Sequence, residues 1–116
     1  MEAEIIRMVA NMYNGDDKSC GVMTSGGTES ILLACLAYRE KAKERGVKYP
    51  NMVMNNTAHA AFDKAAFYFQ IELRKVQLTK DLKTDFKAWK KQIDSNTIML
   101  VASGPDFPYG NFDPTP

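Results

Sequence analysis

The chain has 116 residues, 45% of them apolar and 25% charged, with a formal net charge of +1. That length suits one domain with a real core, the composition is that of a soluble globular protein, and the charge excludes an electrostatically driven nucleic-acid binder. No apolar run approaches ~18 residues, and Glu2, Glu4 and Arg7 interrupt the first turns, so the segment reads as cytosolic, with neither a signal peptide nor a membrane span.

In chain order, "EAEIIRMVANMY" sets Ile5, Met8, Val9 and Met12 at helical spacing and predicts an amphipathic helix over 2–13, with Gly15 as its stop. "CGVMT", residues 20–24, is short and mostly apolar and reads as a buried strand. Past Gly26 and Gly27, Ile31, Leu32, Cys35, Leu36 and Tyr38 carry a second helical pattern. Arg39, Lys41, Lys43 and Arg45 suit the negative end of that helix, and Gly46 ends it. "NMVMN" reads as a strand, the alanine-rich "AHAAFDKAAFYFQ" as a helix and "IELRKVQL" as a strand. Residues 85–93 form a helix carrying Trp89, with Thr84 a candidate cap. "TIMLVAS" is the clearest strand, and "GPDFPYGNFDPTP" is an exit that neither a helix nor a central strand can continue. Strands alternating with helices predict an α/β class: three layers, with a mainly parallel sheet flanked by helices.

In such sheets ligands sit where strand ends turn into helices, and "MTSGGTES" occupies such a place. Gly26 and Gly27 lack a Cβ, so an anion can approach the amides, and the first amides of the following helix have no partner within it. Ser25 and Thr28 can add hydroxyl donors. The turn is neither a P-loop nor a G-x-G-x-x-G fingerprint. Read locally, it is a phosphate cradle or a plain strand-to-helix turn with a capping hydroxyl.

His59 is the single histidine. It shares a helical face with Phe62, Ala66 and Phe69, and a helix start favours its neutral imidazole. It reads as a packed or surface residue, or as a flat ring that stacks on a flat ligand. No metal site is expected, since neither a second histidine nor a cysteine lies at ligand spacing. Cys20 and Cys35, outside any C-x-x-C pattern, read as buried free thiols in a reducing compartment rather than as a disulfide.

Three stretches, "CGVMTSGGTESILLACLAYREKAKERG", "NTAHAAFDKAAFYF" and "TIMLVASGPDFPYGNFDP", together resemble the sphingosine-1-phosphate lyases, in order and spacing. These lyases belong to the pyridoxal-phosphate-dependent group II decarboxylase family of fold type I. The resemblance implies that Gly27 and Thr28 bind the phosphate of pyridoxal 5'-phosphate and that His59 stacks on its pyridine ring. It implies a retro-aldol cleavage of a phosphorylated sphingoid base, with an amino-acid decarboxylase of the same fold and a non-catalytic phosphate-binding module as the alternatives. It implies a homodimer for the complete enzyme, anchored in the endoplasmic reticulum membrane in eukaryotes. The family's Schiff-base lysine and its pyridine-nitrogen aspartate match nothing in residues 1–116, so the chain reads as part of the large cofactor-binding domain, with no catalytic residue of its own. Such a part is expected to leave residues 52–54 and 98–101 incompletely covered. Two positions depart from the family's pattern: Tyr109 stands where a histidine is usual and Gly104 where a larger residue is usual.

Overall fold

Three strands form one parallel sheet in the computed structural model, which describes residues 1–113; residues 114–116, the end of the expected exit, lie outside the described residues. The elements are α1 (Glu2–Met12), α2 (Gly27–Glu44), β1 (Asn51–Asn55), α3 (Ala61–Phe69), β2 (Glu72–Val76), α4 (Phe86–Gln92) and β3 (Thr97–Val101). The chain divides into one unit of Met1–Ser30 and a second that begins at Ile31.

The second unit holds the sheet. Its strand order is β2-β1-β3, with β1 paired in parallel to both neighbours. Asn51 to Asn55 pair with Glu72 to Val76 on one side, and a register irregularity between Asn51 and Met52 marks the pairing with β3 on the other. A central parallel strand is covered on both faces, which is why "NMVMN" is an unbroken run rather than an alternation. Met52, Val53 and Met54 are wholly buried, so the expected lack of cover does not occur on β1; on β3, Leu100 remains half-exposed. Met52 and Met54 share a core cluster with Cys35, Ala42, Ala65, Ala66, Ile71, Ile98 and Val101.

Helix ends follow local chemistry. Gly46, at φ +80°, closes α2: its amide returns to the Lys43 carbonyl and the Val47 amide to that of Ala42, the paired bonds of a Schellman end. Helix α3 closes on Gln70 in the left-handed conformation at φ 54°. Helix α4 is capped by Asp85, whose carboxylate accepts the Ala88 amide at 3.0 Å, rather than by the expected Thr84. The Thr84 hydroxyl is taken by a buried aspartate instead.

In the first unit α1 ends at Met12, one residue short of the expected span, and the left-handed residue after it is Asn14, not Gly15. Gly15 is required for space: a Cβ there would lie 2.9 Å from Ser19 Oγ and 3.0 Å from the Ala10 carbonyl. Residues 20–24 are not a strand. They pair with nothing among the described residues, and Val22 and Cys20 are exposed. Apolar content alone does not make a strand where no ladder partner is available. Of the two thiols, only Cys35 is buried, and that burial pushes its pKa up.

Candidate functional site

The "SGGT" turn opens α2, and its backbone is left free. The Ser30 amide makes the first intrahelical bond, to the Gly26 carbonyl at 3.1 Å. The amides of Gly26, Gly27, Thr28 and Glu29 donate to no acceptor among the described residues. Four consecutive donors at a helix start carry a partial positive charge, an arrangement suited to an anion.

Nothing in the fold demands the two glycines. A Cβ built on either meets no atom of the described residues within 4 Å, and neither has a positive φ. Glycine costs a helix up to about 1 kcal/mol relative to alanine, so Gly27, the first helical residue, is unexplained by the chain, while Gly26 stands at the cap, where glycine is favoured over alanine; together they leave room above the amides for another molecule.

The hydroxyls divide unequally. Ser25 offers both its amide and its hydroxyl to the Glu29 carboxylate, each at 2.6 Å, which lowers the Glu29 pKa chiefly through the hydroxyl and occupies the Ser25 donor that the sequence suggested. Thr24 bonds the Gly26 carbonyl and the Ser30 hydroxyl. The exposed Thr28 hydroxyl takes part in none of this turn's side-chain bonds. The first turn of α2 thus fits a phosphate.

His59 lies in the second unit, ahead of α3 rather than on its apolar face. Phe62, Ala66 and Phe69 pack on the core, while His59 is exposed. Its Nδ1 accepts the Ala61 amide at 3.0 Å, which orients the ring at the start of α3.

Strand order explains what lies beside it. Since β2 and β3 flank β1 on opposite sides, the chain leaving β1 and the chain leaving β3 diverge, and a crevice opens between them at the strands' carboxyl ends. A cavity of about 390 Å³ occurs there, lined by Thr57, Ala58, His59 and Ala60 on one side and Phe107 and Pro108 on the other. Its lining is mainly apolar, and the Thr57 hydroxyl oxygen is buried without a partner among the described residues. A flat ring carrying polar substituents fits such a place.

The wall residues Thr57, Phe107 and Pro108 were not singled out by sequence reasoning; the "FPYG" motif containing two of them was the available signal. Neither of the two departures from the family pattern lines the cavity. The Tyr109 amide bonds the Asp106 carboxylate at 3.1 Å, and Gly104 has the Phe112 ring 3.5 Å from where a Cβ would stand, so a methyl group fits there.

Residues 1–103 match the Pyridoxal-dependent decarboxylase conserved domain. The chain is similar to sphingosine-1-phosphate lyase 1 of Mus musculus, 53% identical over the whole chain and 20% of that protein. It is also similar to sphingosine-1-phosphate lyase of Saccharomyces cerevisiae, 48% identical over 97% of the chain and 20% of that protein. Among solved structures, the sphingosine-1-phosphate lyase Bpss2021 of Burkholderia pseudomallei K96243 superposes with a TM-score of 0.87 at 40% identity, covering 97% of this chain and 28% of that one. Lactobacillus brevis glutamate decarboxylase, at 24% identity and a TM-score of 0.79 over 97% of this chain and 28% of its own, shares the fold. The chain spans about a fifth of the length of the curated relatives it matches. With a parallel α/β sheet, a helix start whose first amides are open, and this match over residues 1–103, the chain belongs to the pyridoxal-dependent decarboxylase family.

Proposed function

We propose that a complete enzyme carrying this segment is a pyridoxal-phosphate-dependent carbon–carbon lyase. It cleaves a phosphorylated sphingoid base by a retro-aldol reaction to a long-chain aldehyde and phosphoethanolamine. Residues 1–116 form part of its large cofactor-binding domain. Gly27 and Thr28 hold the cofactor phosphate, the glycine by its bare amide and the threonine by its amide and hydroxyl. His59 stacks its ring on the pyridine.

One observation carries this reading. The first turn of α2 presents four amides without an acceptor beneath two glycines that the fold does not require, in a chain 53% identical to a sphingosine-1-phosphate lyase. When bound, pyridoxal phosphate supplies an electron sink for the negative charge left on carbon as the bond beside the hydroxyl breaks. The chain's own residues fix that group in place. The α2 amides and the Thr28 hydroxyl neutralise and orient its phosphate, and the His59 ring, oriented by the Ala61 amide, limits its tilt. The relatives' names favour the lyase over an amino-acid decarboxylase, whose structural likeness here is to the fold. We extend the family's homodimeric assembly to the complete enzyme. No helix among the described residues is long and apolar enough to cross a membrane, and the anchor of the eukaryotic family enzymes would belong to sequence outside residues 1–116.

The experiment is a cofactor titration of the complete enzyme and its Thr28→Ala variant, with aldehyde release from a phosphorylated sphingoid base as a second readout. A hydrogen bond to a charged group is worth roughly 1.5–3 kcal/mol, so Thr28→Ala should weaken cofactor retention about ten- to a hundredfold. Unchanged retention would remove Thr28 from the site, and decarboxylation of an amino acid without aldehyde release would refute the lyase.

A further inference from the structure

We propose that Asp113 and Asn55 are positioning residues that hold the two walls of the His59 cavity in register. This rests on the reading of His59 as the ring's stacking partner. Among the described residues no hydrogen bond joins residues 57–60 directly to residues 107–108. Phe107 is 99% exposed, so packing does not fix it either. What relates the two walls is a buried polar network just behind them.

Asn55 ends β1, two residues before Thr57 opens the first wall, and it is completely buried. Asp113 is 6% exposed and closes the loop that carries the second wall. Its Oδ2 accepts the Ser103 amide at 2.9 Å while its own amide returns to the Ser103 carbonyl at 2.8 Å, pinning the neck of the loop. Its Oδ1 accepts the Asn55 side-chain amide at 2.6 Å and the Thr84 hydroxyl at 2.9 Å. The Asn55 side chain also donates to Thr84 Oγ1 at 2.8 Å, and its carbonyl accepts the Trp89 indole N–H at 2.7 Å.

The network is fully satisfied, and a satisfied buried network rigidifies the backbone around it. It ties the end of β1, the segment before α4 and the loop after β3 into one body. Within that loop Asp106 adds a second clamp, its Oδ1 accepting the amides of Tyr109 and Asn111 at 3.1 and 3.0 Å. The backbone that carries Phe107 and Pro108 is therefore held relative to the backbone that carries His59, and both line one cavity. Asp113 and Asn55 act through the walls and need not touch the ligand.

The test uses the complete enzyme with the series Thr84→Val, Asp113→Asn and Asp113→Ala, with His59→Ala in parallel. Three quantities are read: the pyridoxal phosphate dissociation constant, the visible circular dichroism band of the bound cofactor, and the melting temperature of the apo form. Affinity and band intensity should fall in that order, with Asp113→Ala weaker by on the order of tenfold. Asp113→Asn, which keeps one acceptor oxygen, should retain part of both. If Asp113→Ala fails to fold, Thr84→Val decides, since it removes the two bonds of the Thr84 hydroxyl with little change of size and leaves the Asp113–Asn55 and Asp113–Ser103 bonds in place. A series that lowers the apo melting temperature while leaving affinity and band unchanged overturns the proposal. If the Asp113 series shifts the band and His59→Ala does not, the stacking reading falls and the wall-positioning role stands. If neither changes anything, both fall.

Discussion

Replacing Gly27 by alanine should move stability and cofactor binding in opposite directions. Gly27 is the first residue of α2, its φ is not positive, and a Cβ there meets nothing within 4 Å. The folded chain can take the methyl without strain, and the unfolded chain loses freedom, so the apo protein should gain about 0.4–1 kcal/mol. The same methyl projects into the space through which a phosphate would reach the amides. Loss of one charge-assisted amide bond costs roughly 1.5–3 kcal/mol, equivalent to about ten- to a hundredfold in the cofactor dissociation constant. Gly27→Val should weaken binding further, while its β-branch cancels most of the stability gain. The assay pairs thermal unfolding of the apo complete enzyme with titration by visible absorbance. A stabilised Gly27→Ala variant with unchanged cofactor affinity would refute the argument from open space and leave the turn as a plain helix start.

Three further outcomes are expected. His59→Ala should weaken cofactor binding and shift the bound absorption band, while α3 loses only the His59–Ala61 bond, roughly 0.5–1.5 kcal/mol; the absorption spectrum and apo unfolding separate the two effects. Gln70→Gly should raise stability by up to about 1 kcal/mol, because a left-handed residue at φ 54° costs glutamine and not glycine; an unchanged or lowered melting point would count against it. Asp94 is held at about 2, first by the Asn51 side-chain amide and then by Arg74 and the Asn96 amide. A depressed carboxylate contributes stability that is present above its unfolded value near 3.8 and lost as pH falls through about 2, so Asp94→Asn should flatten that part of the acid-unfolding profile.

Much of the fold was legible because the informative signals are local. "NMVMN" reads as a strand, and its run without alternation is accounted for by the central place, buried on both faces, that the sheet gives it. Gly46 was legible as a stop because its φ of +80° is glycine's own. Failures occurred where partners decide. Residues 20–24 are apolar enough for a strand but have no strand beside them among the described residues. Thr84 and Asp85 are both good caps, and only the buried network shows that Asp113 claims the Thr84 hydroxyl. The turn at Gly27 and Thr28 was visible as an anion site or a plain helix start. The Phe107–Pro108 wall was not, since it meets His59 through a strand order that no local pattern encodes.

The most direct measurement is a crystal structure of the complete enzyme with pyridoxal phosphate. Phosphate oxygens should lie about 2.7–3.1 Å from the amides of Gly27 and Thr28 and from the Thr28 hydroxyl, with the pyridine ring stacked on the His59 imidazole beside Phe107 and Pro108. A phosphate held by other groups while the α2 amides face water, or a pyridine ring away from His59, would contradict the central claim.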